Sequence, residues 1–203
     1  MHTTFAALVK KARSYRRFNE SDPIPPQRVR ELVDLVRFVP SAANQQPLRY
    51  RIVVEAGERQ QLFRHLKWAA ALKDWGGPVE SQRPTAYIVI CAPIGKNPAT
   101  DVGIAAQTIQ LAATESGYAA CMLGAIDRPG IHAAFALPKD LEVQLVIALG
   151  RPGETIVLED LAPGETRAYW RTPDQVHHVP NARWKKCCSD AKGGSTDAIP
   201  VNR

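Results

Sequence analysis

The sequence predicts a fold that mixes α-helices and β-strands, on three observations about where its apolar residues lie. From Gln27 onward, apolar residues follow the i, i+3, i+4, i+7 spacing of one helix face. Residues 85–91 read TAYIVIC, an uninterrupted apolar run typical of a central strand that is buried on both faces. Residues 100–116 are apolar nearly all round, which indicates a helix at the centre of the fold or at an interface.

The other elements follow in chain order, and prolines and glycines mark their ends. Pro25 and Pro26 suit the start of the first helix, Pro40 ends it, and Gly117 is placed to cap the helix of residues 100–116. Helices are predicted for residues 27–40, 57–75 (one or two), 100–116 and 129–137, and strands for residues 49–54, 85–91, 119–126 and 144–149. Periodicity is lost beyond Gly153. We therefore predict a single domain over residues 1–186 and a flexible tail over residues 187–203.

The size and composition of the chain favour a compact protein with its own core, rather than a disordered or disulfide-stapled one. Its 203 residues are 45% hydrophobic and 23% charged. No apolar run approaches the length of a membrane span, and the first basic residues follow the apolar start, the reverse of a secretory signal. The sequence therefore predicts a cytoplasmic protein without a membrane partner.

Positive charge is concentrated at two places in a chain whose formal net charge is +6. Residues 1–17 hold five basic residues and no acidic one, and residues 167–186 hold five basic residues against Asp174. Two short clusters at opposite ends of the chain fit one compact anion site better than a surface that follows DNA. A nucleic-acid binder is the poorer alternative, because the basic residues are not interleaved with aromatic platforms. We expect a phosphate-bearing ligand and no nucleic acid.

Cysteines and histidines give no metal-binding pattern. The four cysteines form no C-x-x-C pair and no zinc spacing. Cys91 and Cys121 lie in apolar stretches, where a free thiol behaves as a small buried hydrophobe. His177 and His178 are adjacent, so their side chains diverge in either a helix or a strand. We therefore predict no metal site and leave open whether either histidine has another role.

Three segments of the chain have residues suited to a ligand. Residues 13–18 read RSYRRF, in which two guanidinium groups and a hydroxyl can place several donors on one phosphate. In isolation, a solvated basic helix end is the favoured interpretation of the same residues. Residues 40–47 read PSAANQQP, a loop of small residues and amides that suits either a flat heteroaromatic ligand or an ordinary turn. In residues 121–127, CMLGAID, Gly124 follows an apolar strand, where backbone can approach a ligand closely.

Taken in this order, these segments resemble the FMN-dependent nitroreductase family. The resemblance runs from about Leu8 to Arg183 and rests on four motifs. They are R-S-x-R at residues 13–16, P-S-x-x-N-x-Q-P at 40–47, D-x-G-x-A-A-Q at 101–107 and L-G-x-x-D at 123–127. The resemblance implies an α+β fold with a central, mostly antiparallel sheet flanked by helices. It also implies an intertwined homodimer that holds FMN at the subunit interface.

Four groups of residues take a role from this resemblance. The FMN phosphate and ribityl chain would be bound by Arg13, Ser14 and Arg16 with either Arg171 or Arg183. The flavin would be lined from the partner subunit by Pro40, Ser41, Ala42 and Asn44. The O4 and N5 edge of the flavin would meet the backbone N–H groups of Gly124 and Ala125, and its pyrimidine edge would contact Lys73. No protein residue is assigned a catalytic role, because the cofactor carries the chemistry.

The implied activity is oxidoreduction, in which hydride comes from NADH or NADPH and electrons pass to a nitroaromatic, a quinone or a similar small acceptor. No G-x-G-x-x-G motif follows a strand, so the nicotinamide is expected to dock transiently in the flavin pocket. One pocket that serves donor and acceptor in turn predicts ping-pong kinetics. The alternative is a flavin-binding or phosphate-ligand-binding protein without turnover.

Overall fold

A computed structural model describes residues 4–69, 71–72, 75–162 and 164–182 of the chain. The chain divides into two compact units, Met1–Glu154 and Thr155–Arg203. Among the described residues, no helix combines the length and the apolarity that crossing a membrane requires.

The first unit is built on an antiparallel sheet. Its strands are β1 (Phe18–Asn19), β2 (Arg49–Val53), β3 (Ala86–Pro93), β4 (Ala119–Leu123) and β5 (Leu141–Pro152). The central strand β3 pairs with β2 on one side and with β5 on the other. The far edge of β5 pairs with β4 along its middle and with β1 at its end. Each of these pairings is antiparallel, which confirms the predicted sheet.

Helices cover both faces of this sheet. They are α1 (Phe5–Lys11), α2 (Pro26–Leu35), α3 (Ala56–Phe63), α4 (Ala99–Glu115) and α5 (Arg128–Ala134). Ile88 and Ile90 of β3 lie in one core with residues of α2 and α4. Tyr87 and Val89 lie in a second core with residues of α3 and α5. Burial on both faces explains why residues 85–91 are apolar without the usual alternation, and it confirms the prediction of a central strand.

Helix α4 lies close to its predicted bounds. Gly117 has a φ of +80°, a conformation that glycine adopts without steric cost, and its N–H donates to the Thr114 carbonyl at 3.1 Å, as is typical at a helix end. The buried side of the helix is formed by small and branched residues, Ala105, Ala106, Ile109 and Ala113. Ile104 and Leu111 are only partly buried in the single chain.

The prediction of helix over residues 57–75 is wrong in its second half, because α3 ends at Phe63. Leu66 instead forms an antiparallel bridge with Ile126. The Trp68 ring lies 5.9 Å from the Phe63 ring and over Gly77, where an added Cβ would come within 2.7 Å of Trp68 Cδ1. Burial of Leu66 and Trp68 in the core therefore outweighs the helical spacing of the sequence.

The second unit contains a three-stranded sheet that the sequence analysis did not predict. Its strands are β6 (Ile156–Asp160), β7 (Trp170–Arg171) and β8 (His177–Asn181), in the order β6–β8–β7. β6 and β8 pair in parallel, and β7 pairs with β8 antiparallel. Val157 and Leu158 are both 37% exposed, so β6 has no clean alternation of buried and exposed residues. The predicted tail, residues 187–203, lies outside the described residues.

Candidate functional site

The basic segment of residues 13–17 follows α1 but is not part of it. Ser14 forms a parallel bridge with Ala120 of β4, and the Tyr15 N–H donates to the Ala120 carbonyl at 3.0 Å. Arg13 and Arg16 are both partly buried, and Arg16 Nη1 donates to the Ser14 carbonyl at 3.3 Å. A solvated helix end is therefore the wrong interpretation of these residues. The segment meets the edge of β4 at Ala120, and its next residues, Arg16 and Arg17, reach Glu154 just past the end of β5.

One distant carboxylate holds this segment in place. Glu154 accepts hydrogen bonds from the backbone N–H groups of Arg16 and of Arg17, the latter at 3.1 Å. The Arg17 carbonyl in turn accepts from the Gly153 N–H at 3.0 Å. These contacts engage the backbone of Arg16 and Arg17, so they fix the course of the chain at this point.

The nearby thiol of Cys121 is unsuited to nucleophilic chemistry. Cys121 is 1% exposed, and burial raises its pKa to about 11, although the positive charge of Arg16 opposes the rise. The pKa of Tyr15 is also raised, first by burial and then by the negative charge of Glu154. Because a thiol must ionise to attack, the site offers a place to bind an anion and no cysteine nucleophile.

The end of β4 leaves backbone open to a ligand. Gly124 and Ala125 are exposed, and a Cβ built on Gly124 would meet only Leu145 Cδ1, at 4.0 Å. Within the part of the chain that the structure describes, no turn or loop hydrogen bond uses the N–H of either residue. Gly124 lies four residues beyond Ala120, about 13 Å along an extended strand. A ligand with a phosphate at one end and a ring at the other can therefore follow β4 from the basic segment to these N–H groups.

A histidine and an aspartate pair beside Ala125. The Lys67 N–H donates to the Ala125 carbonyl at 3.0 Å, and the Asp127 N–H donates to the His65 carbonyl at 2.9 Å. His65 Nδ1 lies 2.9 Å from Asp127 Oδ2, while Asp127 Oδ1 accepts the Gly130 N–H at 3.0 Å. The Gly130 N–H and then His65 lower the pKa of Asp127.

Sequence reasoning did not find His65, which lies 62 residues before its partner in the chain. The only local signal is Gly130, where an added Cβ would lie 2.0 Å from Asp127 Oδ2 and 2.4 Å from His65 Nδ1. Glycine at this position leaves space for the pair. Nothing in the single sequence links it to a histidine so far away.

The loop of residues 40–47 is held in an unusual backbone conformation. Ala43, Asn44 and Gln46 have φ values of 48°, 53° and 47°, in the left-handed region that non-glycine residues seldom adopt. Ser41 Oγ accepts the Gln46 N–H at 2.9 Å, and Asn44 Oδ1 accepts from Gln46 Nε2 at 2.8 Å. The amides that the sequence singled out therefore shape the loop itself.

A contact from α4 also reaches this loop. Asp101 is 7% exposed, and its Oδ1 accepts the Ala42 N–H at 3.1 Å. Asp101, Ser41 and Tyr50 all line a cavity of about 340 Å³ behind the loop. Burial raises the pKa of Tyr50 to about 12, and the negative charge of Asp101 contributes to the rise.

The structure brings some of the predicted site residues together and keeps others apart. Ser14 pairs with Ala120 of β4, Arg13 and Arg16 lie within two residues of it in the chain, and Gly124 and Ala125 follow the end of that strand. The loop with Pro40, Ser41, Ala42 and Asn44 leads into β2, and β3 and β5 lie between β2 and β4. One chain alone therefore does not place this loop beside the end of β4. Lys73 and Arg183 lie outside the described residues.

The second unit holds Arg171 and the histidine pair. Arg171 of β7 pairs with His177 of β8. The Trp170 ring stacks on His178 at 4.1 Å, and His178 Nδ1 lies 2.6 Å from Glu159 Oε1. Over the described ranges, no group of three or more His, Cys, Asp or Glu side chains is arranged to hold a metal ion. His177 and His178 contact different neighbours, as adjacent residues of a strand do.

Comparison with known proteins gives matches over most of the first unit. The model of the nitroreductase family matches residues 9–88 and 92–151. A Streptomyces griseus protein, provisionally named NADH dehydrogenase/NAD(P)H nitroreductase, is 37% identical over 59 residues, 29% of this chain and 30% of the relative. A Caulobacter vibrioides protein with the same provisional name is 34% identical over 86 residues, 42% of this chain and 40% of the relative. The matches thus span less than half the length of these curated relatives.

Solved structures share the fold at low sequence identity. An FMN-dependent nitroreductase from Clostridium difficile superposes with a TM-score of 0.60 at 22% identity, over 74% of this chain and 88% of that one. A structure from Exiguobacterium sibiricum, described as a nitroreductase in complex with FMN, gives a TM-score of 0.63 at 17% identity, over 76% and 90%. These likenesses confirm the predicted α+β architecture.

Proposed function

Because the chain belongs to the nitroreductase family, we propose that it is an FMN-dependent oxidoreductase that takes hydride from NADH or NADPH. The electrons would pass to a nitroaromatic, a quinone or a similar small acceptor. What carries the proposal is the bridge that Ser14 of the basic segment forms with Ala120 of β4, the strand whose end exposes the backbone of Gly124 and Ala125. The FMN named for the Clostridium difficile and Exiguobacterium sibiricum proteins supports the same cofactor here.

The residues present fit FMN at both ends of that molecule. Arg13, Ser14 and Arg16 would hold the phosphate and ribityl chain, since guanidinium groups bind phosphate oxygens with paired donors. Gly124 and Ala125 would direct N–H groups to the O4 and N5 edge, and the open space over Gly124 admits a flat ring. Lys73 for the pyrimidine edge, and Arg171 or Arg183 for the phosphate, complete the proposed set.

FMN, when bound, supplies the redox chemistry, and the residues of the chain bind and tune it. The N–H groups of Gly124 and Ala125 would stabilise the negative charge that develops at the O4 and N5 edge on reduction. Neither buried thiol of the first unit is suited to attack, because burial raises the pKa of both Cys91 and Cys121 to about 11. We therefore assign neither thiol a role in catalysis.

We further propose a homodimer in which each subunit lends its loop to the other's flavin. Pro40, Ser41, Ala42 and Asn44 would then line FMN held by the partner's β4. The separation of β2 from β4 by two strands within one chain supports this arrangement, as do the partly exposed Ile104 and Leu111 of α4. Light scattering is expected to give a dimer at all practical concentrations. An FMN-loaded monomer of 22.3 kDa would contradict the exchange of loops.

Steady-state kinetics test the proposed activity. One pocket that serves donor and acceptor in turn requires oxidised nicotinamide to leave before the acceptor binds. Double-reciprocal plots of rate against NADH or NADPH, at several fixed quinone concentrations, should therefore give parallel lines. Intersecting lines would indicate a second binding site and overturn the shared pocket. Absence of turnover with every donor and acceptor pair, in a protein that binds FMN, would favour the alternative of a flavin-binding protein without activity.

A further inference from the structure

The loop of residues 40–47 is strained where it would meet the flavin. Ala43, Asn44 and Gln46 all have left-handed φ values, and none of them is glycine. A non-glycine residue in this region is unfavourable in isolation and persists only where its surroundings determine it. The shape that the loop presents to a ligand therefore depends on the contacts that hold it.

One of these contacts comes from far along the chain. Two side-chain hydrogen bonds are internal to the loop, from the Gln46 N–H to Ser41 and from the Gln46 side chain to Asn44, and they add to backbone bonds within the same turn. A third side-chain hydrogen bond joins the Ala42 N–H to Asp101 Oδ1 at 3.1 Å, across 59 residues of sequence. Asp101 is 7% exposed and belongs to α4, a rigid helix of 17 residues. Across the described residues, this hydrogen bond and the exposed contact of Arg49 Nη1 with the Gln46 carbonyl, at 3.2 Å, join the loop to the rest of the fold.

Asp101 has a second structural role, which a test must distinguish from its contact with the loop. It lies in the first turn of α4, where a negative charge also stabilises the helix dipole. No side chain caps the start of this helix, because Pro98 occupies the N-cap position. A purely structural role would need the charge of Asp101, whereas the contact to Ala42 needs only an acceptor oxygen.

We propose that Asp101 is a positioning residue for the flavin-binding loop. Its carboxylate accepts the Ala42 N–H and thereby holds residues 41–44 in the strained shape that contacts FMN, without touching FMN itself. The inference rests on the proposed function, since it takes FMN on the partner subunit as the ligand of this loop. The D-x-G-x-A-A-Q segment and the P-S-x-x-N-x-Q-P segment then act as one unit.

Three variants test this contact from both sides. Asp101→Leu removes the acceptor at similar size, and Asp101→Asn removes the charge while it keeps an acceptor oxygen. Ala42→Pro removes the donor, and Pro fits there because the preceding Ser41 is extended, with φ −134° and ψ 145°. FMN dissociation constants are measured by quenching of flavin fluorescence on titration of the FMN-depleted dimer. Hydrogen exchange of the Ala42 amide is measured in the FMN-depleted wild type and in the Asp101 variants.

We expect Asp101→Leu and Ala42→Pro each to weaken FMN binding by about tenfold. The double variant should also lose about tenfold rather than a hundredfold, because both changes remove the same hydrogen bond. Asp101→Asn should bind FMN about as tightly as the wild type, even if its melting temperature falls with the lost charge. Exchange of the Ala42 amide should be about tenfold faster in Asp101→Leu and near the wild-type rate in Asp101→Asn.

Other outcomes overturn the proposal. Unchanged FMN affinity in Asp101→Leu, or independent losses that multiply in the double variant, would show that the contact does not position the loop. Equal losses in Asp101→Asn and Asp101→Leu would assign Asp101 to the helix dipole instead. If Asp101→Leu does not fold, Ala42→Pro and Asp101→Asn still decide between these roles. If the wild type binds no FMN, the proposed function fails, and amide exchange then reports separately whether Asp101 holds Ala42.

Discussion

Two irregular segments of the first unit are each fixed by one distant carboxylate, but they differ in what they offer a ligand. Glu154 accepts the backbone N–H groups of Arg16 and Arg17, and Asp101 accepts that of Ala42. The segment held by Glu154 lies alongside a strand and carries positive charge. The loop held by Asp101 has left-handed backbone and small, uncharged side chains.

The difference separates two requirements of a flavin site. Phosphate binding depends on charge, and guanidinium groups on long side chains tolerate small backbone movements. Lining a flat ring depends on shape, which a strained loop provides only if it is held firmly. We therefore expect substitutions at the basic segment to act through charge, and substitutions at the loop to act through backbone position.

The largest expected effect comes from removing charge at the basic segment. Arg16→Ala removes a charge-assisted contact with phosphate worth roughly 1.5–3 kcal/mol. FMN affinity should fall by about ten- to a hundredfold in titrations of the FMN-depleted protein. Lys10→Ala, which removes an exposed charge of α1 nearby, is the matched control and should change affinity little. Equal losses in both variants would mean that only net charge matters and that Arg16 has no specific contact.

The end of β4 is expected to depend on the space at Gly130. Gly130→Ala would place its Cβ 2.0 Å from Asp127 Oδ2 and break the pair with His65. Urea unfolding should report a loss of about 1–3 kcal/mol, as overpacking usually costs. Gly57→Ala is the control, because a Cβ there meets no atom within 4 Å and alanine favours a helix by about 0.5–1 kcal/mol. An unchanged free energy of unfolding in Gly130→Ala would show that the pair of His65 and Asp127 is not needed for the fold.

A smaller effect tests whether Glu154 contributes position or charge. Glu154→Gln keeps an oxygen that can accept the N–H groups of Arg16 and Arg17, and it removes a negative charge beside a proposed phosphate site. FMN affinity should therefore rise, by about two- to fivefold, given the modest strength of partly exposed charge pairs. Glu154→Leu removes the acceptor as well and should bind FMN more weakly than Glu154→Gln. The reverse order of these two variants would contradict the positioning role of Glu154.

The smallest effect concerns the phenol beside Asp101. Burial, and then the negative charge of Asp101, raise the pKa of Tyr50 from 10.0 to about 12. The neutral phenol is the form that folding favours, so this contribution to stability is complete below pH 10 and is lost as the pH rises toward 12. The phenolate absorbance that disappears in Tyr50→Phe should titrate near pH 12, and at lower pH in Asp101→Asn. Titration of Tyr50 near pH 10 in the wild type would place its hydroxyl in water.

The sequence alone predicts the core elements and the binding motifs, but it does not predict the contacts between segments that are distant in the chain. Residues 85–91 and 100–116 form the predicted strand and helix because burial on both sides leaves a strong apolar pattern. The stretch after Phe63 leaves its helical pattern to bury Trp68 and to pair with residues 125–127. That choice depends on partners some sixty residues away, as do the contacts of His65 and Asp101. No local spacing carries such information, whereas the short motifs and their order along the chain predict which segments contribute to the site.

Anaerobic mixing of the FMN-loaded protein with NADH and, separately, with NADPH tests the proposed function most directly. The visible absorbance of oxidised flavin is followed in time, with no acceptor present. We predict rapid bleaching with at least one of the two donors, and return of the spectrum when a quinone or a nitroaromatic is added. A flavin spectrum that neither donor changes would contradict the assignment as an oxidoreductase. The protein would then be one that binds FMN without catalytic turnover.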